Sequence, residues 1–204
     1  DDPTGVDPAV EVFPLPEIDI PDAIAWTPWR KLSLWQSPLA NLSGDVLFLD
    51  LDIVITGDID AMFDYKPGAF CACENWTQIG KGIGNTSVFR WNVGRNSHIF
   101  TDFEADGEGI WRKYGIEQVY ISRVIDRMEF WPSDWCVSFK HTLVPYWPLN
   151  FFRTPKLPEG TRIVAFTGKP DPDEAAIGAW PVEQAWKKIY KYARPTPWID
   201  EYWQ

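Results

Sequence analysis

Two carboxylates stand close together where an apolar segment ends. Asp50 and Asp52 flank Leu51 and follow the uninterrupted apolar run 46–49. Carboxylate oxygens suit Mg²⁺ or Mn²⁺, with coordination positions left open for phosphate oxygens. An Asp-x-Asp sequence by itself has a simpler explanation, in which one aspartate caps a turn and the other is solvated. Because this pair follows an apolar run typical of a buried strand, whose carboxyl end is where open α/β sheets bind ligands, the sequence favours a metal site.

Hydrophobic periodicity predicts the elements that position this pair. The predicted strands are 46–49, 53–55, 69–73, 87–91, 136–139 and 162–166, with an edge strand at 10–15. The predicted helical segments are 31–43, 59–63, 95–103, 117–126 and 181–192. Strands interleaved with helices predict an α/β layered domain, and we expect residues 1–204 to form one domain.

Composition excludes several classes of protein. The net charge of −10 disfavours nucleic acid as a partner. No apolar run approaches the roughly 18 residues of a transmembrane segment, so we expect a soluble protein, and the cysteine pattern favours a cytoplasmic one. The three cysteines are predicted to be buried, reduced thiols, and thirteen tryptophans are consistent with stacking on sugars. His98 and His141 have no partners at metal-ligand spacing and are left unassigned.

Four segments occur in the order of a known family. The run 46–55 with its Asp-x-Asp, the segment 85–89, the Glu-Gln pair 117–118 and the segment 166–170 together resemble glycosyltransferase family 8, the group of glycogenin and bacterial lipopolysaccharide galactosyltransferases. The resemblance covers about residues 30–175. It implies a GT-A, Rossmann-like fold with a mixed central sheet flanked by helices. It also implies retaining transfer of a hexosyl group from a nucleotide-diphosphate sugar, such as a UDP-sugar, to a saccharide or glycan acceptor.

The resemblance also implies roles for individual residues. Asp50 and Asp52 would hold Mn²⁺ or Mg²⁺ against the donor diphosphate, and Thr167 stands where the family places a third metal ligand, usually histidine. A neutral hydroxyl is a poorer ligand than imidazole. The other implied site residues are Lys31, Gly168 and Lys169 at the diphosphate, Asn85 and Ser87 at the donor sugar, Gln118 at its reactive face, and Glu117 at a sugar or acceptor hydroxyl.

Each of these side chains has a simpler interpretation. Lys31 and Lys169 could be solvated lysines, Asn85 a turn residue after Gly84, and residues 117–118 a solvated first turn of a helix. The chain opens on Asp1-Asp2-Pro3, as though after a strand, and we expect that the family's N-terminal β-α-β unit is missing.

Two other functions compete with glycosyl transfer. A sugar nucleotidyltransferase also uses a metal and an α/β sheet, but the sequence has no glycine-rich triphosphate loop followed by a basic residue. A catalytically silent protein that binds carbohydrate or a nucleotide sugar is suggested by Thr167 and by the tryptophans.

Overall fold

A computed structural model of the chain describes residues 4–203. Its strands are β1 Asp45–Leu49, β2 Ile53–Ile55, β3 Phe70–Glu74, β4 Gly84–Asn92, β5 Met128–Phe130, β6 Cys136–Ser138 and β7 Ile163–Ala165. Its α-helices are α1 Ala61–Asp64, α2 His98–Tyr114, α3 Glu117–Val124 and α4 Pro172–Ala176. Short 3₁₀-helices span Asp22–Ile24, Pro28–Trp35, Leu149–Phe151, Ala185–Ile189 and Pro197–Glu201, and a π-helix spans Phe139–Leu143. The α/β class is confirmed.

The strands form two mixed sheets. The four-stranded sheet has the order β1-β4-β3-β5, in which β3 pairs antiparallel with β4 and parallel with β5. The three-stranded sheet has the order β2-β7-β6, in which β7 pairs antiparallel with β2 and parallel with β6. β1 and β2 belong to different sheets, so residues 50–52 are one of the segments by which the chain passes between the sheets.

Internal contacts divide the chain into two compact units. The first comprises the described residues up to Val46 together with Trp91–Asp126. Here α2 packs against the 3₁₀-helix Pro28–Trp35 and against α3. Trp29 stacks on Phe103 with ring centroids 5.2 Å apart, and the Tyr120 hydroxyl donates to the Ile99 carbonyl across 3.1 Å. These contacts fix the start of α3, which carries Glu117 and Gln118.

The second unit comprises Leu47–Arg90 and the described residues from Arg127 onward. Apolar side chains of β2, β3, β6 and β7 fill its two core clusters. Arg90 of β4 is fully buried, and its guanidinium donates to the carbonyls of Met62 and Phe63 (both 2.6 Å) and Lys66 (2.9 Å). The cation thus satisfies the carbonyls at the end of α1, which have no partners within the helix.

Several sequence predictions are wrong in detail. Residues 10–15 form no strand, because interspersed prolines keep the segment exposed and unpaired. The helix predicted over 31–43 is instead the 3₁₀-helix Pro28–Trp35, which ends where Gln36 becomes extended ahead of Ser37-Pro38. The helix predicted over 181–192 is only Ala185–Ile189, since Trp186 and Ile189 lie exposed with no core to pack against. β1 is half-buried rather than covered on both faces.

No helix in residues 4–203 is long and apolar enough to cross a membrane.

Candidate functional site

Backbone hydrogen bonds hold the Asp-x-Asp segment at both ends. The Asp50 N–H donates to the Ser87 carbonyl of β4 across 2.8 Å, and the Phe166 N–H donates to the Asp52 carbonyl across 2.9 Å. The Asp50 and Asp52 side chains are half-buried, whereas Leu51 between them is 94% exposed. The two carboxylates therefore lie on a fixed bend between the sheets, open to solvent.

The loop that follows β7 begins beside this bend. Phe166 is buried and stacks on Phe139 with ring centroids 4.7 Å apart, which anchors the start of the loop. Thr167 is half-buried, and Gly168 has a φ of +69°, a left-handed conformation that favours glycine. No heavy atom lies within 4 Å of the position of a Cβ on Gly168, so the backbone there is open to a ligand. The structure thus brings the start of the segment 166–168 to Asp52.

Lys140 is a site residue that the sequence analysis missed. Its Nζ donates to the Thr167 carbonyl across 2.7 Å. Burial, and secondarily the charge of Lys191, lowers the pKa of the Lys140 ammonium. Lys140 lies in the π-helix Phe139–Leu143, where neither helical nor strand periodicity marks it. It places a positive charge directly behind the loop that follows β7.

Lys169 already has anionic partners within the chain. Its Nζ lies 2.5 Å from Asp171 Oδ2 and 2.8 Å from Glu174 Oε1. The hydrogen bond that Lys169 donates to Asp171, and then the one it donates to Glu174, raises the pKa of Lys169. Glu174 also accepts from the Asp171 N–H, which closes the capping box of α4. A diphosphate that approached Lys169 would have to compete with two carboxylates.

Asn85 and Ser87 lie in β4 beside the bend. Both are buried, and the Asn85 Oδ1 accepts from the Ser87 N–H across 2.9 Å. Asn85 is therefore a strand residue, and its interpretation as a turn residue after Gly84 is wrong. The Ser87 carbonyl accepts from the Asp50 N–H, so β4 fixes the backbone that carries the first carboxylate.

The remaining predicted site residues belong to the first unit. Lys31 is half-buried within the 3₁₀-helix Pro28–Trp35. Glu117 is the first residue of α3 and is only 5% exposed, so it is not part of a solvated turn. Gln118 is half-buried, and its carbonyl accepts from the Ser122 hydroxyl across 2.6 Å. Their roles toward a donor stay predictions.

The donor set at the bend fits a metal ion that is shared with a ligand. Among residues 4–203, no three His, Cys, Asp or Glu side chains cluster as a metal cage. Two carboxylates, with the Thr167 hydroxyl on the neighbouring loop, are hard oxygen ligands that leave positions for phosphate oxygens and water. Mg²⁺ is bound in proteins in this way, through one or two carboxylates and substrate phosphates.

Comparisons with known proteins give structural similarities only. No protein-family model matches the chain, and no curated protein matches it in sequence. The galactosyltransferase LgtC, solved with donor and acceptor sugar analogs, is similar over 71% of this chain, with 13% identity and a TM-score of 0.48. An active-site mutant of LgtC gives 14% identity and a TM-score of 0.47, also over 71% of this chain.

The glycosyltransferase GlyE of Streptococcus pneumoniae TIGR4 is similar over 64% of this chain, with 17% identity and a TM-score of 0.42. The matches cover 59% of each LgtC chain and 36% of the GlyE chain. Similarities at this level do not establish a reaction or its substrates, which must be argued from the residues of the chain itself.

Proposed function

We propose that the protein is a metal-dependent glycosyltransferase that moves a hexosyl group from a nucleotide-diphosphate sugar to a saccharide hydroxyl. The observation that carries this proposal is the pair of hydrogen bonds that fix Asp50 and Asp52 between Ser87 and Phe166. These bonds join three of the four family-like segments, which are 46–55, 85–89 and 166–170. The order of those segments in the sequence favours glycosyl transfer over other metal-dependent chemistry.

In the proposed reaction, the bond between the sugar's anomeric carbon and the β-phosphate oxygen breaks. The nucleoside diphosphate leaves with the electron pair, a bond forms from the anomeric carbon to the acceptor oxygen, and the hydroxyl proton passes to a base. A divalent ion bound at Asp50 and Asp52 would stabilise the charge that develops on the leaving diphosphate. Mn²⁺ or Mg²⁺ is the proposed cofactor, and a UDP-sugar is the proposed donor.

Other residues of the chain are proposed to position the loop, the phosphates and the donor sugar. Lys140 holds the loop at Thr167 and adds positive charge behind it, while Gly168 leaves room for a phosphate to approach the backbone. Asn85 and Ser87 are proposed to position the donor sugar. Attack from the same face as the leaving group is proposed, which retains the anomeric configuration.

Donor hydrolysis tests this proposal. Purified protein is incubated with a panel of UDP-, GDP- and ADP-hexoses in Mn²⁺, and release of the nucleoside diphosphate is measured with and without chelator. We expect release from one donor class, abolished by chelator and restored by excess Mn²⁺. Release that chelator does not alter would contradict the role of the metal.

A catalytically silent protein that binds nucleotide sugars is the second candidate. It is favoured by the hydroxyl of Thr167 in a position where histidine would bind a metal more strongly, and by the two carboxylates that occupy Lys169. Metal-dependent donor binding in a calorimetric titration, without release of the nucleoside diphosphate from any donor even with added saccharide, would favour this candidate.

A further inference from the structure

A concave surface of the second unit lies apart from the Asp-x-Asp bend. It is a cavity of about 690 Å³ lined in part by Thr142, Leu143, Pro145, Phe152, Arg153 and Lys156. Pockets of this size hold small-molecule ligands, for which volumes of roughly 300–1,000 Å³ are typical. The cavity belongs to none of the family-like segments, so the proposed function leaves it without a role.

The cavity is basic in an acidic protein. Its lining residues include Arg153 and Lys156 but no Asp or Glu, although the whole chain carries a net charge of −10. In the part of the chain that the structure describes, neither Arg153 nor Lys156 makes an ion pair, and both are exposed. Two unpaired cations at a concave surface attract an anionic ligand.

One aromatic ring lines the cavity, and two more follow the lining residue Pro145 in the sequence. Phe152 lines the cavity and is 75% exposed, and the nearby Tyr146 and Trp147 are 87% and 62% exposed. Exposed rings of this kind stack on the apolar C–H faces of sugars, and large apolar side chains clustered at a surface mark binding sites.

The wall that carries these residues is held in place. Buried Asn150 donates its Nδ2–H to the Tyr192 carbonyl across 2.9 Å, and Phe151 stacks on Tyr192 with centroids 4.9 Å apart. Trp198 Nε1 donates to the Pro155 carbonyl across 3.0 Å. A preformed wall loses little conformational entropy when a ligand binds.

The π-helix Phe139–Leu143 connects this cavity to the proposed donor site. Lys140 binds the Thr167 carbonyl, and Thr142 and Leu143, two and three residues further on, line the cavity. We propose that the cavity binds an anionic saccharide, a sugar that carries a carboxylate or a phosphate, as the acceptor of the transfer. The acceptor role rests on the proposed function, whereas the binding does not.

Calorimetric titration without donor or metal tests the binding. The probes are digalacturonic acid, its neutral counterpart galactobiose, and glucose 6-phosphate as the phosphate-bearing sugar. We expect at least one anionic sugar to bind roughly tenfold or more tighter than galactobiose, since charge-assisted hydrogen bonds contribute most of the difference. Which of the two binds identifies carboxylate or phosphate as the recognised group.

A double variant, Arg153→Gln with Lys156→Gln, assigns the binding to the cavity. We expect it to lose that preference, and the charge-matched control Arg112→Gln with Lys113→Gln, on exposed positions of α2, to keep it. Circular dichroism checks that both variants remain folded. Equal affinity for charged and neutral sugars, equal losses in both variants, or binding only to phosphatidylserine vesicles overturns the proposal.

The failure of this proposal is distinguishable from failure of the proposed function. Donor hydrolysis without binding of any anionic sugar removes the cavity proposal alone. Binding of an anionic sugar by a protein that neither binds nor hydrolyses any donor leaves the cavity as a saccharide site and removes the transferase.

Discussion

The Phe166 N–H donates to the Asp52 carbonyl across 2.9 Å, which ties the metal-site candidate to the loop that follows β7. Thr167, the next residue, therefore begins its loop beside the backbone of Asp52. Segments more than a hundred residues apart in the sequence are joined by this one bond, and changes at Thr167 should be felt at Asp52.

Replacement of Thr167 by histidine is expected to tighten metal binding. Imidazole is a stronger ligand for Mn²⁺ than a neutral hydroxyl, and the position is adjacent to the hydrogen bond at Asp52. Titration of Mn²⁺ followed by electron paramagnetic resonance measures the affinity, with Thr167→Gln as a control of similar bulk. Equal affinity in Thr167→His and in the parent protein would count against Thr167 as a position in the metal site.

Replacement of Lys140 by methionine is expected to weaken donor binding in the presence of metal. The variant keeps most of the side chain's packing but removes the hydrogen bond to Thr167 and the positive charge behind the loop. Calorimetric titration of the donor measures the effect, and we expect a loss of roughly tenfold, as for one charge-assisted hydrogen bond. Lys191→Met is the control, since its charge contributes only secondarily at Lys140. Donor affinity that is unchanged in Lys140→Met would show that the loop needs no such support.

Arg90→Met is expected to lower the free energy of unfolding by about 3 kcal/mol or more, because hydrogen bonds to charged groups contribute strongly and the buried carbonyls at the end of α1 would lose their donor. Urea unfolding measures the change. Arg90→Lys keeps the charge but not the planar fork, so we expect it to recover only part of the loss. A near-wild-type midpoint for Arg90→Met would show that water satisfies these carbonyls instead.

The buried Cys73 thiol gives a prediction for pH. Burial first, and then the hydrogen bond and charge of Cys136, raises the pKa of Cys73 above its ordinary value of 9.0. A raised folded-state pKa means that the thiol's contribution to stability is present below that ordinary value and is lost as pH rises above it. Between about pH 8 and pH 10, the wild type should therefore lose more stability than Cys73→Ala. Equal losses would contradict this account, as would alkylation of Cys73 by iodoacetamide in the folded protein.

The strands that position the site could be predicted because their residues are almost uniformly apolar. Apart from Asp45 at the start of β1, the strands β1, β2 and β7 consist only of Val, Leu, Ile, Phe and Ala, a run typical of a strand. β5 was missed because it is three residues long and carries Glu129 at its centre. Its pairing with β3 is a tertiary contact that no local pattern reveals.

The supporting cations could not be predicted for a different reason. Lysine and arginine are usually solvated, and nothing in the local sequence marks Arg90 as the partner of carbonyls in α1 or Lys140 as the partner of Thr167. The same limit applies to Lys169, whose partners Asp171 and Glu174 are visible in the sequence only once the capping box of α4 is recognised.

The central claim is that Asp50 and Asp52 hold the metal that binds the donor. Calorimetric titration of the donor in Mn²⁺ tests it on the parent protein, on Asp50→Asn and Asp52→Asn, and on Leu51→Ala as the control, because Leu51 is exposed between them. Because donor binding depends on the metal, we expect each Asn variant to lose donor affinity by more than the roughly 10–100-fold effect on metal affinity that loss of a merely supporting group has. The donor affinity of Leu51→Ala should stay near that of the parent. The thermal stability of all the variants should also stay near that of the parent. Donor affinity that is unchanged in both Asn variants, or in the parent protein with chelator, would contradict the account.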